Sequence, residues 1–516
     1  MQLTPDNHRD KPACLNALAT FLFSRFERLG DSADIDRSIT AREDAVRIAP
    51  DNHPEKHVYL NNLGNALLNR FKQHRSPLDI DNAIQFSKEA VRLAPQNPNK
   101  AASLNIVGKA FFYRFKDHKE VVDITESINA FEEAIRLVPE GHASKSIFMT
   151  NLGEVLHSRF ELFHEKKDIQ KSISVGQAAV QLTPDGHAAK PLVLLNFGLS
   201  IFGRFKNFGD QADLTSAILQ FSAAARSGIG SPSLRFRACL LWARSARHNS
   251  DASILDAYTV ALELLPQLFG LGLSLQGRYR ELISAGSMAR DAAAAAIEFK
   301  RFQTAVEWLE QGRSIVWGQL MQLRTPVNEL QDSHPALAAR LLQVSRELEQ
   351  SSSNQAGSET HNEQAQRHRA LTIEWQEIIQ KIRSLPGFER FLLPKTITQL
   401  SAAAQSGSVV ILNASQRRCD ALAITADSDT VLHVPLTEIT YEMLELLQNH
   451  LTELLASNTR VVRNRATRPV FTIQRNLNDV FESILSELWI KVVKPVLNVL
   501  YASVSFPAYP FSLSPQ

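Results

Sequence analysis

Three cysteines and fifteen histidines are the residues from which catalytic or metal chemistry could be built. A cysteine nucleophile acts as the thiolate, which at neutral pH needs an adjacent base or an electropositive pocket. Cys14, Cys239 and Cys419 lie far apart and none belongs to a CxxC pair, so neither a disulfide framework nor a zinc module is expected, and a reducing compartment suits them. Cys419 and His433 flank successive apolar runs and form the one candidate dyad; the competing reading makes Cys419 an ordinary core residue. No histidine follows His450 and no cysteine follows Cys419. His8, His53, His142 and His187 recur just after a proline. Metal ligation needs convergence, whereas copies of a repeat are displaced along the chain, so these histidines read as linker residues. No catalytic residue, metal or cofactor is expected.

A second set of residues recurs at fixed spacing. Arg-Phe returns at Arg25-Phe26, Arg70-Phe71, Arg114-Phe115, Arg159-Phe160 and Arg204-Phe205. Eight positions before the arginine stand Asn62, Asn151 and Asn196, and nine before it Asn16, Asn61 and Asn105. Fourteen before it is a lysine ladder: Lys11, Lys56, Lys100, Lys145 and Lys190. A small residue lies six before (Ala19, Gly64, Gly108, Gly153, Gly198) and an aspartate nine after (Asp34, Asp79, Asp123, Asp168, Asp213), with Pro5, Pro50, Pro95, Pro139 and Pro184 at the boundaries. A unit of 44 or 45 residues repeated five times implies a solenoid, in which each unit buries its apolar face against its neighbours.

The pattern within a unit predicts a helical hairpin. Leu60, Leu63, Leu67 and Phe71 follow the spacing of one helical face, and Gly64 among them marks a close approach of the second helix. The second helix starts near Ser76-Pro77, with serine as N-cap and Asp79 at the positive helix end, and stops at Pro95. The Arg of each Arg-Phe pair complements the dipole at a helix C-terminus while the Phe is interior. MQLTPDNH at the start matches the end of a unit, as QLTPDGH at 181–187 shows, so the array reads as truncated or divergent there.

Bulk composition narrows the classes. A net charge of +2 with 21% charged residues offers no field for nucleic acid or an anionic membrane. No signal peptide is visible at MQLTPDNHRDKP, and the apolar stretch from Leu485 to Leu500 is broken by Lys491, Lys494 and Pro495, so no membrane span is expected. A cytoplasmic protein is the expectation.

Along the chain, residues 1–228 hold the repeats and 229–350 continue helical without the register. Residues 351–370, with SSSNQAGSETHNEQAQ, read as a polar loop, and 371–387 as a helix and linker. From 388 to 516 the period changes: SVVILNAS, CDALAIT and TVLHVPL read as a hairpin and a third strand, before helices return at Tyr441 and Leu477.

The repeats resemble tetratricopeptide arrays in a long-unit form, since the usual unit is about 34 residues. The extra length is expected between the two helices, around KQHRSPLD at 72–79. AVEWLEQGRSIVWGQLMQLRTP, LPGFERFLLP and VVILNASQRRCDALAI resemble the lead-in and first strands of the CHAT domain, a caspase-like domain that follows such arrays in fungal proteins. The fold implied is mainly α, an α-α superhelix followed by a partial α/β caspase-like domain. The family's His-Gly turn and later Cys find no counterpart here, so the chain looks like a member cut off inside its CHAT domain and no catalytic residue carries over. The resemblance also implies that the first helix of each unit lines a concave groove, where Asn62, Asn151 and Asn196 could bind a peptide backbone while Lys56, Lys100, Lys145 and Lys190 supply charge. Helix packing for the asparagines and a solvated face for the lysines is the other reading. A non-enzymatic scaffold for a protein or peptide partner is the expectation; the alternative is a fragment of a caspase- or separase-like cysteine protease.

Overall fold

The computed structural model describes residues 8–29, 32–95, 98–268, 275–322, 328–353, 370–371, 374–375, 377–425, 428–463 and 471–503. The chain divides into two compact units between Leu264 and Leu265, beyond the point near residue 228 where the sequence register fades. Most of the polar stretch at 351–370 lies outside the described residues.

The first unit is a row of helical hairpins. Their first helices are α1 (Lys11–Leu29), α3 (Lys56–His74), α5 (Pro98–His118), α7 (Lys145–Phe163) and α9 (Lys190–Phe208). Their second helices are α2 (Ser32–Ile48), α4 (Pro77–Leu93), α6 (Val121–Leu137), α8 (Lys166–Leu182) and α10 (Gln211–Arg226). A sixth pair, α11 (Pro232–Ala246) and α12 (Ser253–Leu268), continues the row without the register, tied by Trp242 Nε1 donating to Ser253 Oγ at 3.0 Å. The extra length of the unit is not where the sequence placed it. Helices α3 and α4 have 19 and 17 residues and only Arg75-Ser76 joins them, so the added residues lengthen the helices.

The tight connection explains the Arg-Phe motif. The residue after α3, α5, α7 and α9 takes a left-handed conformation (Arg75, Lys119, His164, Gly209), and its N–H donates to the carbonyl of the motif's Phe at 2.7–2.8 Å. This αL cap satisfies a carbonyl left open at the helix end. Two residues later the second helix begins, and its third residue is the recurring aspartate. The hairpin thereby brings each aspartate back beside the motif's arginine, and the two form a bidentate pair: Arg70 with Asp79 at 2.8 and 2.7 Å, Arg114 with Asp123 at 2.9 and 2.7 Å, Arg159 with Asp168 at 2.6 and 2.5 Å, Arg204 with Asp213 at 2.7 and 2.6 Å, and likewise Arg25 with Asp34. All five aspartates are buried. The sequence reading assigned Arg and Asp to opposite helix dipoles as separate effects; instead they join the two helices of one hairpin. The expected Ser76 cap is also corrected: Ser76 sits at the N-cap position but its side chain makes no capping bond, whereas Asp210 accepts from Ala212 N–H at 2.9 Å.

Small residues set the spacing inside each hairpin. A Cβ at Gly64 would stand 2.2 Å from Ser87 Oγ, and one at Gly108 or Gly198 would stand 2.8 or 2.7 Å from the rings of Phe131 or Phe221. Gly153 differs, since its nearest neighbour would be an ordinary 3.6 Å away. The facing position on the second helix, which reads Arg42, Ser87, Phe131, Gly176, Phe221 through the five copies, accounts for this. Where it is Gly176, the space is filled from the next hairpin by Phe197, 2.9 Å from where a Gly176 Cβ would be. Ser38, Ser127 and Ser172 add a buried bond to the small residue's carbonyl, at 2.7–2.8 Å to Ala19, Gly108 and Gly153.

In the second unit, hairpin α13 (Leu275–Glu298) and α14 (Phe302–Gln322) packs closely; a Cβ at Gly312 would meet Ala289 Cβ at 2.2 Å. The five alanines Ala292–Ala296 are all buried there. The sheet has order β1-β2-β3, antiparallel throughout, with β1 Val409–Ala414, β2 Cys419–Thr425 and β3 Ser428–Pro435. These match the three apolar runs of the sequence. One face carries Asn413, Asp420 and His433 and meets the α13–α14 hairpin: Asn413 Nδ2 donates to Arg290 O at 3.2 Å and His433 stacks on Phe302 with centroids 4.8 Å apart. The other face, with Cys419, Ala421 and Val434, packs against Val492 and Val496. Further helices span Asn328–Ser333, Pro335–Ser353, residues 377–383, Tyr441–Arg463, Phe471–Leu488 and Lys494–Ser503. No described helix is long and apolar enough to cross a membrane.

Candidate functional site

The chemically distinctive surface is a row of side chains on the first helices of successive hairpins. Helix α5 contributes Lys109, Tyr113 and Lys116, spaced i, i+4, i+7 on one face. The corresponding face of α3 carries Asn69 and Lys72, that of α7 Glu154, His157 and Glu161, and that of α9 Gly203 and Lys206. The Tyr113 ring is flanked by two ammonium groups, Lys72 Nζ 4.9 Å and Lys116 Nζ 5.3 Å from its centroid. Lys116 also lies 4.1 Å over Phe112 and pairs with Glu154 at 2.9 Å. Lys72 Nζ donates to Asn69 Oδ1 at 3.3 Å.

Burial governs the charges here. The Lys72 ammonium is pushed down to about 8, by loss of water first and then by repulsion from Lys109 and Lys116, against the pull of Glu154 and Glu27. Lys109 is lowered by the same burial with only Glu154 opposing it. Burial and then Glu154 raise Tyr113, while Arg75 and Arg237 act the other way. His157 is lowered, by burial first and in part by Lys206, and its ring occupies the space left by Gly203, where a Cβ would stand 2.4 Å from Nε2.

The residues singled out from sequence fall elsewhere on the hairpins. Asn62 Nδ2 donates to Asn16 Oδ1 at 3.1 Å and Asn151 Nδ2 to Asn105 Oδ1 at 2.8 Å, so the asparagines eight and nine before the arginine pair between neighbouring hairpins. Asn196, half-buried, lines a packing gap with Thr150, Gly153, Gly176, Val193 and Phe197 that has no room for a water. The lysine ladder caps helices. Lys56 Nζ donates to Ala49 O at 2.7 Å, Lys190 Nζ to Thr183 O at 2.6 Å and Val180 O at 3.1 Å, and Lys145 Nζ to Val138 O at 3.5 Å, each reaching the end of the preceding second helix. Lys100 faces Glu133 at 3.9 Å. The linker histidines accept at Nδ1 from the N–H two residues on, at 3.1–3.2 Å in His8, His53, His142 and His187.

Cys419 and His433 are not placed as a dyad. His433 pairs with Leu422 across the strands and shares the face of Asp420, its 2.7 Å partner, whereas Cys419 points into the opposite face. Burial raises the Cys419 thiol and pushes Cys239 up to about 12. Among the described residues no group of three or more His, Cys, Asp or Glu could hold a metal ion.

Sequence reasoning missed the basic row, although a signal existed. Two positions after each motif arginine stand Glu27, Lys72, Lys116, Glu161 and Lys206, and five before it Thr20, Asn65, Lys109, Glu154 and Leu199. Aligning the five copies shows these positions changing charge while the scaffold positions hold still.

The first unit is thus a repeat array of stacked helical hairpins. No family model matches the sequence, and no curated protein does. Among solved structures, the chain is similar to a thermophilic TPR protein of Thermus thermophilus at 15% identity, covering 45% of this chain and 98% of that one with a TM-score of 0.32. It is also similar to PilF of Pseudomonas aeruginosa at 15% identity, covering 54% and 99% with a TM-score of 0.33.

Proposed function

We propose that the hairpin array is a non-enzymatic scaffold that receives an extended peptide or a protein segment along the row of first helices. The observation that supports this most is the continuous row of first-helix side chains, Lys72 of α3 4.9 Å from the Tyr113 ring of α5 and Lys116 of α5 paired with Glu154 of α7 at 2.9 Å. An extended surface of this kind is what solenoids use for binding. Asn62, Asn151 and Asn196 enter this reading as amides already paired with Asn16 and Asn105 or set in a packing gap, which a bound backbone has to share or displace. Lys56, Lys100, Lys145 and Lys190 enter it as donors already engaged at helix ends or beside a carboxylate, which a ligand has to displace or share. The three-stranded sheet of the second unit is compatible with a CHAT-type beginning, and we place it in the same proposal without a catalytic role, since Cys419 and His433 face opposite ways.

The test is a peptide array probed with the full-length chain, followed by the same array with Asn62, Asn151 and Asn196 changed together to Ala and helicity checked by circular dichroism. Loss of the bound spots with helicity retained is expected. Unchanged binding by the triple variant removes these residues from the site, and a blank array for the unaltered chain removes the groove.

A further inference from the structure

The row of first helices is unbalanced in charge at one place. Lys72, Lys109 and Lys116 gather around Tyr113 from two adjacent hairpins, and the carboxylate that acts on all of them is Glu154, already paired with Lys116 at 2.9 Å. Lys72 and Lys109 are held against burial with no carboxylate at ion-pair distance among the described residues: Lys72 has a neutral amide acceptor at 3.3 Å and the face of an aromatic ring. Beyond this place the row changes sign, with Glu154 and Glu161 on α7 before Lys206 on α9. At the other end Glu27 acts on both Lys72 and Arg42, and Arg42, 3% exposed, leaves Nε and Nη1 without a hydrogen-bond partner while its guanidinium lies 4.9 Å over the Phe23 ring. One glutamate cannot neutralise two cations.

Partly buried ammonium groups without matching anions are costly in the free protein, and an arriving carboxylate recovers much of that cost. Lys109 and Lys116 stand about two turns apart on α5 and Lys72 comes from α3, so the ammonium groups are spread along two neighbouring helices. That distribution matches several carboxylates along an extended strand better than a single terminal one. The half-buried Tyr113 ring between Lys72 and Lys116 offers an apolar contact beside them.

We infer that the Lys72–Lys109–Lys116 cluster is a docking site for an acidic segment of a partner protein, recognised through side-chain carboxylates spaced along an extended chain. This deepens the groove reading and rests on it.

The experiment is fluorescence anisotropy on the full-length chain with three labelled dodecapeptides: one rich in Glu with both ends blocked, one with every Glu replaced by Gln and both ends blocked, and the Gln peptide with a free C-terminal carboxylate. Binding of the Glu peptide alone is expected, weakening as salt is raised from about 50 to about 500 mM. The double change Lys72→Gln, Lys109→Gln is expected to weaken it about tenfold. Glu154→Gln, which removes the competing internal carboxylate, is expected to tighten it several-fold, a direction that damage to the fold does not produce. Equal binding of the blocked Gln peptide, binding only of the free C-terminus, or weaker binding by Glu154→Gln overturns the inference. If the Gln peptides bind and the triple Asn variant abolishes that, the groove reading stands while this one falls; if no peptide binds, this inference falls with it.

Discussion

Removing the carboxylate of Asp168 isolates what the Arg–Asp staple contributes. Asp168 is buried and its two oxygens accept from Arg159 Nε and Nη2 at 2.6 and 2.5 Å, while the Arg159 side chain keeps 24% of its surface in water. Stripping one member of a fully buried ion pair costs about 3–5 kcal/mol, because the other charge is left unpaired. Arg159 can turn partly to solvent, which lowers the expectation for Asp168→Ala to about 2 kcal/mol, near the value of a charged hydrogen-bond pair. Asp79→Ala is the internal control. Arg70 also donates to Asp36 of the preceding hairpin at 2.9 Å, so it keeps a carboxylate and the loss should be about 1 kcal/mol. Hydrogen exchange read by mass spectrometry is the suitable assay, because a repeat array opens locally and one global unfolding energy is poorly defined for it. Asp168→Ala should speed exchange in α7 and α8 more than Asp79→Ala does in α3 and α4. Equal, small effects in both would refute the reasoning, since they would mean that the pair adds nothing beyond helix packing.

Three further outcomes follow from the same geometry. Gly108→Ala and Gly198→Ala should each lower the thermal midpoint by circular dichroism, since overpacking against Phe131 or Phe221 costs about 1–3 kcal/mol, while Gly153→Ala should be neutral or raise it by gaining helix propensity of about 1 kcal/mol. The Lys72 contribution to stability should rise between about pH 8 and pH 10, because Lys72 loses its proton near 8 when folded but near its ordinary value of 10.5 when unfolded, so that at this group the unfolded chain binds more protons; the raised thiols of Cys239 and Cys419 act the other way above their ordinary value of 9.0. The groups facing Lys72 are Lys109, Lys116 and Tyr113 on α5, Glu154 on α7 and Glu27 on α1; Lys109 shifts the same way, so Lys72→Met should flatten part of the rise in a urea titration at each pH. Iodoacetamide at pH 8 should label exposed Cys14 in the native protein, with Cys239 and Cys419 protected until urea is added, and rapid native labelling of Cys419 would contradict its burial.

Local order was readable from the residues in sequence. Helices and strands follow from the period of the apolar positions, which is a property of a few neighbouring residues, so the hairpins and the runs at Val409, Cys419 and Ser428 appear where the pattern puts them. The recurrence of Gly64, Gly108 and Gly198 marked true close approaches, but the same pattern overstated Gly153, because the crowding partner is set by position 176 and ring 197 on other helices. What a side chain does with its charge was decided by the fold. Arg and Asp nine apart looked like two helix-end effects until a two-residue turn with one left-handed residue brought them into contact. The lysine ladder looked like a charged face until each first helix was seen to start beside the carbonyls that end the previous hairpin. Cys419 and His433 are near in sequence and near across the strands, yet strand register sends them to opposite faces. Periodicity is local and one-dimensional; partners in charge are chosen in three dimensions, and only the stacked hairpins bring Lys72, Lys109 and Lys116 to one place.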